Sequence, residues 1–231
     1  VHTLLTEQLG YRDKDIIDLR NAGRTEFERV FGSKDAPEGE LARRVKRGVR
    51  GDVLIYVSSH GLATEESEPS YLLPIDARYD QLDRTAYPLQ SLYANLAKVG
   101  ARTIMLVLET DFRTNLSELT DVPNLPQMQV DFEPALPVPG LAIFKASDRD
   151  QMTLEDPEYG IGLFTRYLIE GLAGKADEAP IGNADYRIDT VELFVYTANM
   201  VRMAARKSFG LEQKPVLSKI DNLVVGKLHR P

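Results

Sequence analysis

The sequence predicts an α/β domain built on a mostly parallel central sheet, and three observations predict it. Apolar, β-branched runs at 53–57, 103–108 and 141–146 are short and bounded by turn residues, and read as buried strands. Helical spacing of apolar residues marks 89–96 between the first two runs, and 163–172 and 190–209 after the third. Strands that alternate with helices give an α/β architecture, and 231 residues suffice for one large core, so a single domain over 1–231 is expected.

The chain opens with Leu4, Leu5 and Leu9 at helical spacing and Gly10 as a stop. Ile16 and Ile17 make 15–19 a short strand. Thr25 and Glu28 form a capping box for a helix that buries Phe27, Val30 and Phe31. A second helix runs from Pro37 to about Gly48, with Leu41 and Val45 inward and a basic cluster, Arg43, Arg44, Lys46 and Arg47, on its solvated face. The strand over 53–57 ends in Ser58, Ser59 and His60 and delivers the histidine to a loop. An acidic loop, 63–69, separates it from a short strand, Tyr71 to Pro74.

Leu89, Leu92, Tyr93 and Leu96 at i, i+3, i+4 and i+7 give an amphipathic helix that leads through Gly100 into the strand at 103–108. Five prolines between 115 and 139 make that stretch a long surface loop. Phe164, Tyr167 and Leu168 pack one late helix; Phe194, Ala198, Val201 and Ala205 pack the other. Leu223 to Val225 closes the chain as an edge strand.

Composition narrows the chemistry. With 43% hydrophobic and 27% charged residues the chain is not mainly disordered, and a net charge of −7 argues against a nucleic-acid or anionic-membrane binder. There is no cysteine, which excludes disulfides, thiolate metal sites and a cysteine nucleophile. No apolar run approaches the roughly 18 residues of a membrane span. The sequence carries no signal for compartment or oligomeric state.

Ligands and reacting groups collect at the carboxyl ends of strands in such sheets, which singles out His60 and the residues after Leu108: Glu109, Thr110, Asp111 and Phe112. Asp111 follows His60 by 51 residues. A histidine about 50 residues ahead of the nucleophile is a caspase spacing.

The sequence resembles the caspase-like peptidases of family C14, most of all the bacterial members related to metacaspases and paracaspases. The resemblance rests on I-Y-V-S-S-H-G at 55–61, where the family has a strand ending S-G-H-G, and on S-Y-L-L-P-I-D at 70–76 for Y-L-L-P-x-D. It continues with L-E-T-D-F at 108–112 for L-D-A-C-F and G-L-F-T-R-Y-L-I-E-G-L-A-G-K-A-D at 162–177 for G-x-F-T-x-x-L-x-x-G-L-x-G-x-A-D. The segments occur in the family's order over nearly the whole chain.

The resemblance implies a three-layer α/β/α sandwich whose first strand, a central one, precedes Val1, so the domain is expected to be N-terminally incomplete. It places the general base at His60 and the nucleophile at Asp111, and it matches Glu109 and Glu155 to acids that receive a basic P1 side chain. Ser59 stands where the family has glycine.

Asp111 changes the expected chemistry. A thiolate attacks a peptide carbonyl and forms a thioester; a carboxylate attacks an amide poorly, and its adduct is an anhydride of higher energy. Asp111 beside His60 is better suited to an ion pair. An aspartic dyad needs a second carboxylate sharing a proton, which Glu109 is poorly placed to supply. Ser58 and Ser59 lie too close to His60 for a serine triad and read as strand-end hydrogen bonders.

The expected function is a catalytically inactive caspase-like domain that binds a peptide or protein partner. The alternative is an endopeptidase cleaving after Arg or Lys, with cysteine native at 111 or another nucleophile in use. A weaker pattern, Asn183, Asp185, Asp189 and Glu192, falls at positions 3, 5, 9 and 12 of a calcium loop; Ile181 and Tyr186 occupy its first and sixth positions, and Asp189 with Glu192 also reads as a capping box.

Overall fold

The structure is a computed structural model describing residues 1–47, 51–62, 70–113, 134, 138–148, 151–218 and 222–228, with the main chain alone at 47 and 111–113. The acidic loop at 63–69, most of the proline-rich stretch and His229 lie outside the described residues. In order come α1 (Arg24–Phe31), α2 (Glu40–Arg47), β1 (Asp52–Leu62), β2 (Tyr71–Leu73), α3 (Leu82–Thr85), β3 (Tyr87–Pro88) and α4 (Leu89–Leu96). Then follow β4 (Thr103–Arg113), β5 (Leu141–Lys145), β6 (Glu155–Asp156), β7 (Ile161–Gly162), α5 (Leu163–Glu170), β8 (Arg187–Asp189), α6 (Thr190–Ala204), β9 (Val216–Ser218) and β10 (Val224–Lys227).

Six strands form one mixed sheet in the order β3-β2-β1-β4-β5-β9. Its middle is parallel. The Arg102 N–H donates to the Gly51 carbonyl at 3.0 Å, so β1 and β4 start side by side. Bonds from Ile104 N–H to the Gly140 carbonyl and from Ala146 N–H to the Leu108 carbonyl advance together along β4 and β5. Antiparallel strands close both sides, β2 on β1, β3 on β2 and β9 on β5.

Chain contacts divide the protein into two compact units, one of 1–18, 105–109 and 142–231, the other of 19–104 and 110–141. In the second, α1 and β3 build an aromatic cluster. Phe27 lies 5.6 Å from Tyr87 and 6.0 Å from Phe31 between ring centres, and the Tyr87 hydroxyl donates to the Gly32 carbonyl at 2.7 Å. Burial pushes that phenol up to about 12. In the first, Phe144 on β5 meets Phe164 of α5 edge-on at 4.8 Å and Phe194 of α6 at 5.8 Å.

Several elements depart from expectation for local reasons. Helix α1 starts earlier than Thr25: Gly23 is its N-cap, the Glu26 carboxylate accepts the Gly23 N–H at 2.7 Å, and Asp76 accepts the Arg24 N–H at 2.9 Å. A carboxylate 52 residues away satisfies one orphan amide, which no local pattern announces. Residues 13–15 form a 3-10 turn, and Ile16 and Ile17 join no ladder among the described residues. The edge strand of the main sheet near the C-terminus is β9, while β10 pairs with β8 in a separate ribbon. Helix α2 starts at Glu40, three residues past Pro37.

Candidate functional site

The strand ends hold the two residues the sequence singles out. His60 lies inside β1, where it pairs with Leu73 of β2, so the returning antiparallel strand extends β1 past the expected loop. His60 and Asp111 are each the ninth residue of neighbouring strands of 11 residues that start together, which brings them to within one residue of the same level. His60 is exposed and has no hydrogen-bond or ion-pair partner among the described residues. The Asp111 side chain lies outside the described residues.

The hydroxyls just ahead of these two positions are unusual. Ser59 Oγ and Thr110 Oγ1 are buried and have no hydrogen-bond partner among the described residues, and Thr110 as a whole is 5% exposed. Ser59 therefore does not act as the hydrogen bonder expected of it. A buried hydroxyl without a partner costs about 1–3 kcal/mol, so the strand ends carry unspent polar capacity. Ser58 is exposed.

In the other unit, Glu109 and Glu155 meet a common landmark, Gly162. The Glu109 carboxylate is buried; its Oε1 accepts the Thr165 N–H at 3.1 Å, and its Oε2 accepts the Thr165 hydroxyl. Thr165 is the third residue of α5, and the helix N-cap is Gly162, which has no side chain to offer. Glu109 supplies, from 56 residues away, the oxygen that an Asp or Ser cap would provide, at the end where the helix dipole favours negative charge. A methyl group at 162 would lie 1.8 Å from Glu109 Oε1, so the carboxylate needs this glycine.

Glu155 pairs with Gly162 across the β6–β7 ladder and is exposed. Gly160, at a φ of +60°, turns that hairpin. Its neighbour Asp156 is buried, and the Arg166 guanidinium reaches it at 2.6 Å while the Glu158 N–H donates to it at 2.9 Å. Burial raises the Asp156 pKa, but these hydrogen bonds outweigh it and hold the carboxyl below its ordinary range. Arg166 also lies over the Tyr159 ring at 4.2 Å and against Glu170 at 3.2 Å.

The calcium-like pattern is folded into backbone capping. Asn183 Oδ1 accepts the Asp185 N–H at 2.9 Å, and Asp185 Oδ1 accepts the Arg187 N–H at 2.8 Å. Asp189 Oδ1 accepts both the Val191 and Glu192 N–H groups at 2.9 Å, and Glu192 Oε2 accepts the Asp189 N–H at 3.2 Å, completing the capping box of α6. A residue the sequence reading missed, buried Asp177, accepts the Asp185 and Tyr186 N–H groups. Among the described residues no group of three or more His, Asp or Glu side chains is arranged to hold a metal ion.

A sheet with a parallel middle and antiparallel flanks, alternating in sequence with helices, defines an α/β protein. Solved structures bear out the fold. The crystal structure of caspase-1 from Spodoptera frugiperda aligns with a TM-score of 0.56 at 14% sequence identity, covering 94% of this chain and 75% of that one. The structure of pro-sf-caspase-1 aligns with a TM-score of 0.52 at 15% identity, with the same coverage of each chain. No protein-family model matches the sequence, and no curated protein does. The likeness is one of fold.

Proposed function

We propose that this chain is a peptidase-type, caspase-like domain of the metacaspase and paracaspase kind that binds a peptide or protein partner and does not cleave it by cysteine chemistry. One observation carries the reading: at the end of β4, beside the strand that bears His60, position 111 is aspartate, and the chain contains no cysteine. A histidine base without a thiol can move a proton but has no nucleophile to form a thioester. Exposed Glu155 suits a basic side chain of the ligand, whereas Glu109 already serves as the cap of α5.

Reporter peptides with Arg or Lys ahead of the leaving group test the reading. The unmodified protein is expected to release no product above buffer, and Asp111→Cys to gain turnover that iodoacetamide abolishes. Turnover by the unmodified chain that disappears in His60→Ala would overturn the proposal and establish the endopeptidase instead.

A further inference from the structure

Gln213 belongs to no helix or strand, yet it is fully buried. Both ends of its amide are in use: Nε2 donates to the Ala146 carbonyl and Oε1 accepts the Leu154 N–H, each at 3.0 Å. One side chain thus ties together the two ends of the excursion that leaves β5 and arrives at β6. The next residue repeats the grip, with the Lys214 N–H donating to Gln151 Oε1 at 2.6 Å and its ammonium 3.5 Å from the Asp148 carboxylate.

The grip ends one residue short of Glu155. Leu154 is held on both sides, its N–H by Gln213 and its carbonyl by the Leu163 N–H at 2.7 Å. Glu155 itself, in register with Gly162, contributes the exposed carboxylate. An excursion of this length would otherwise sample many conformations, and an exposed acid on it would lose affinity to the entropy of ordering. A primary amide donates and accepts in one buried place whatever its surroundings, whereas Glu does both only when protonated and Met does neither well.

We propose that Gln213 is a positioning residue: it fixes Leu154 and thereby sets where the Glu155 carboxylate stands for a basic side chain of the bound peptide. This rests on the binding role proposed above. The test measures binding of a fluorescein-labelled tetrapeptide amide ending in arginine, by anisotropy, to the unmodified protein, Glu155→Gln, Gln213→Met, Gln213→Glu and the Glu155→Gln/Gln213→Met double variant.

Gln213→Met is expected to weaken binding about tenfold and Gln213→Glu by less; the double variant is expected to bind no more weakly than Glu155→Gln alone, since both act on one contact. Hydrogen exchange at 151–156 is expected to accelerate in Gln213→Met while the amides of α6 keep their protection. A Gln213→Met protein that melts lower but binds the peptide as the unmodified protein does, or whose loss adds fully to that of Glu155→Gln, overturns the positioning role. Should the unmodified protein not bind the peptide, the binding reading fails on its own, and exchange still decides Gln213: acceleration confined to 151–156 keeps it as the residue that holds Glu155 in place, and unchanged exchange there removes it.

Discussion

Around Gly162 the buried polar atoms are spoken for: Glu109 caps α5, Asp156 holds Arg166, and Gln213 uses both ends of its amide. At the ends of β1 and β4, among the described residues, Ser59 and Thr110 keep buried hydroxyls without partners and His60 is exposed and unpaired. The first region spends its polar groups on holding the fold. The second leaves them unspent, at the strand ends where the sequence resemblance places catalysis. The division is not complete, since Thr197 on α6 also keeps a buried hydroxyl without a partner among the described residues.

The widest contrast should come from Gly162→Ala. Its methyl would fall on the Glu109 carboxylate, so the helix must shift or the cap must break, at a cost of about 3 kcal/mol or more in urea unfolding. A loss below about 1 kcal/mol would mean that this region is softer than its packing implies. Glu109→Gln comes next. It keeps the shape and one acceptor but loses the charge that faces the helix N-terminus, and about 2 kcal/mol should go with it.

The second region should respond with the opposite sign. Thr110→Val removes an orphan hydroxyl at constant shape and should stabilise by about 1 kcal/mol, which raises the melting temperature by about 2–4 °C in a chain of this size. Destabilisation would reveal a partner for the hydroxyl and erase the contrast. Smallest of all, His60→Ala should stay within about 0.5 kcal/mol of the unmodified protein, as befits an exposed side chain with no hydrogen-bond or ion-pair partner among the described residues.

Legibility from sequence followed the range of the interactions. Helix α4 was readable because Leu89, Leu92, Tyr93 and Leu96 repeat at the helical period and are all buried. The interiors of β4 and β5 were readable as apolar runs, and α6 from its Asp189–Glu192 box. Contacts that close over long separations were not. The role of Glu109 depends on Thr165 and Gly162, and that of Gln213 on Ala146 and Leu154; no local pattern links such residues. Helix α1 begins two residues ahead of the Thr25 box because Asp76, far along the chain, completes its cap. Strand β1 runs past its apolar stretch because its last residues are held by β2, not by their own propensity. Spacing and motif single out His60 and Asp111 as candidates, while the orphan hydroxyls beside them depend on packing that a linear pattern does not record.

The buried phenols also make the protein its own spectroscopic reporter. The chain has ten tyrosines and no tryptophan, so its near-ultraviolet absorbance is dominated by phenols, whose spectrum shifts when they ionise. Burial pushes Tyr87, in the cluster with Phe27 and Phe31, up to about 12, and Tyr196, buried and donating to Glu170 in the other unit, is pushed upward too. An exposed or unfolded phenol ionises near about 10, so the stability tied to Tyr87 is whole below that pH and drains away as the solution approaches about 12. An alkaline titration of Tyr87→Phe and Tyr196→Phe beside the parent protein would let the late absorbance steps be attributed to one unit or the other, without an added label.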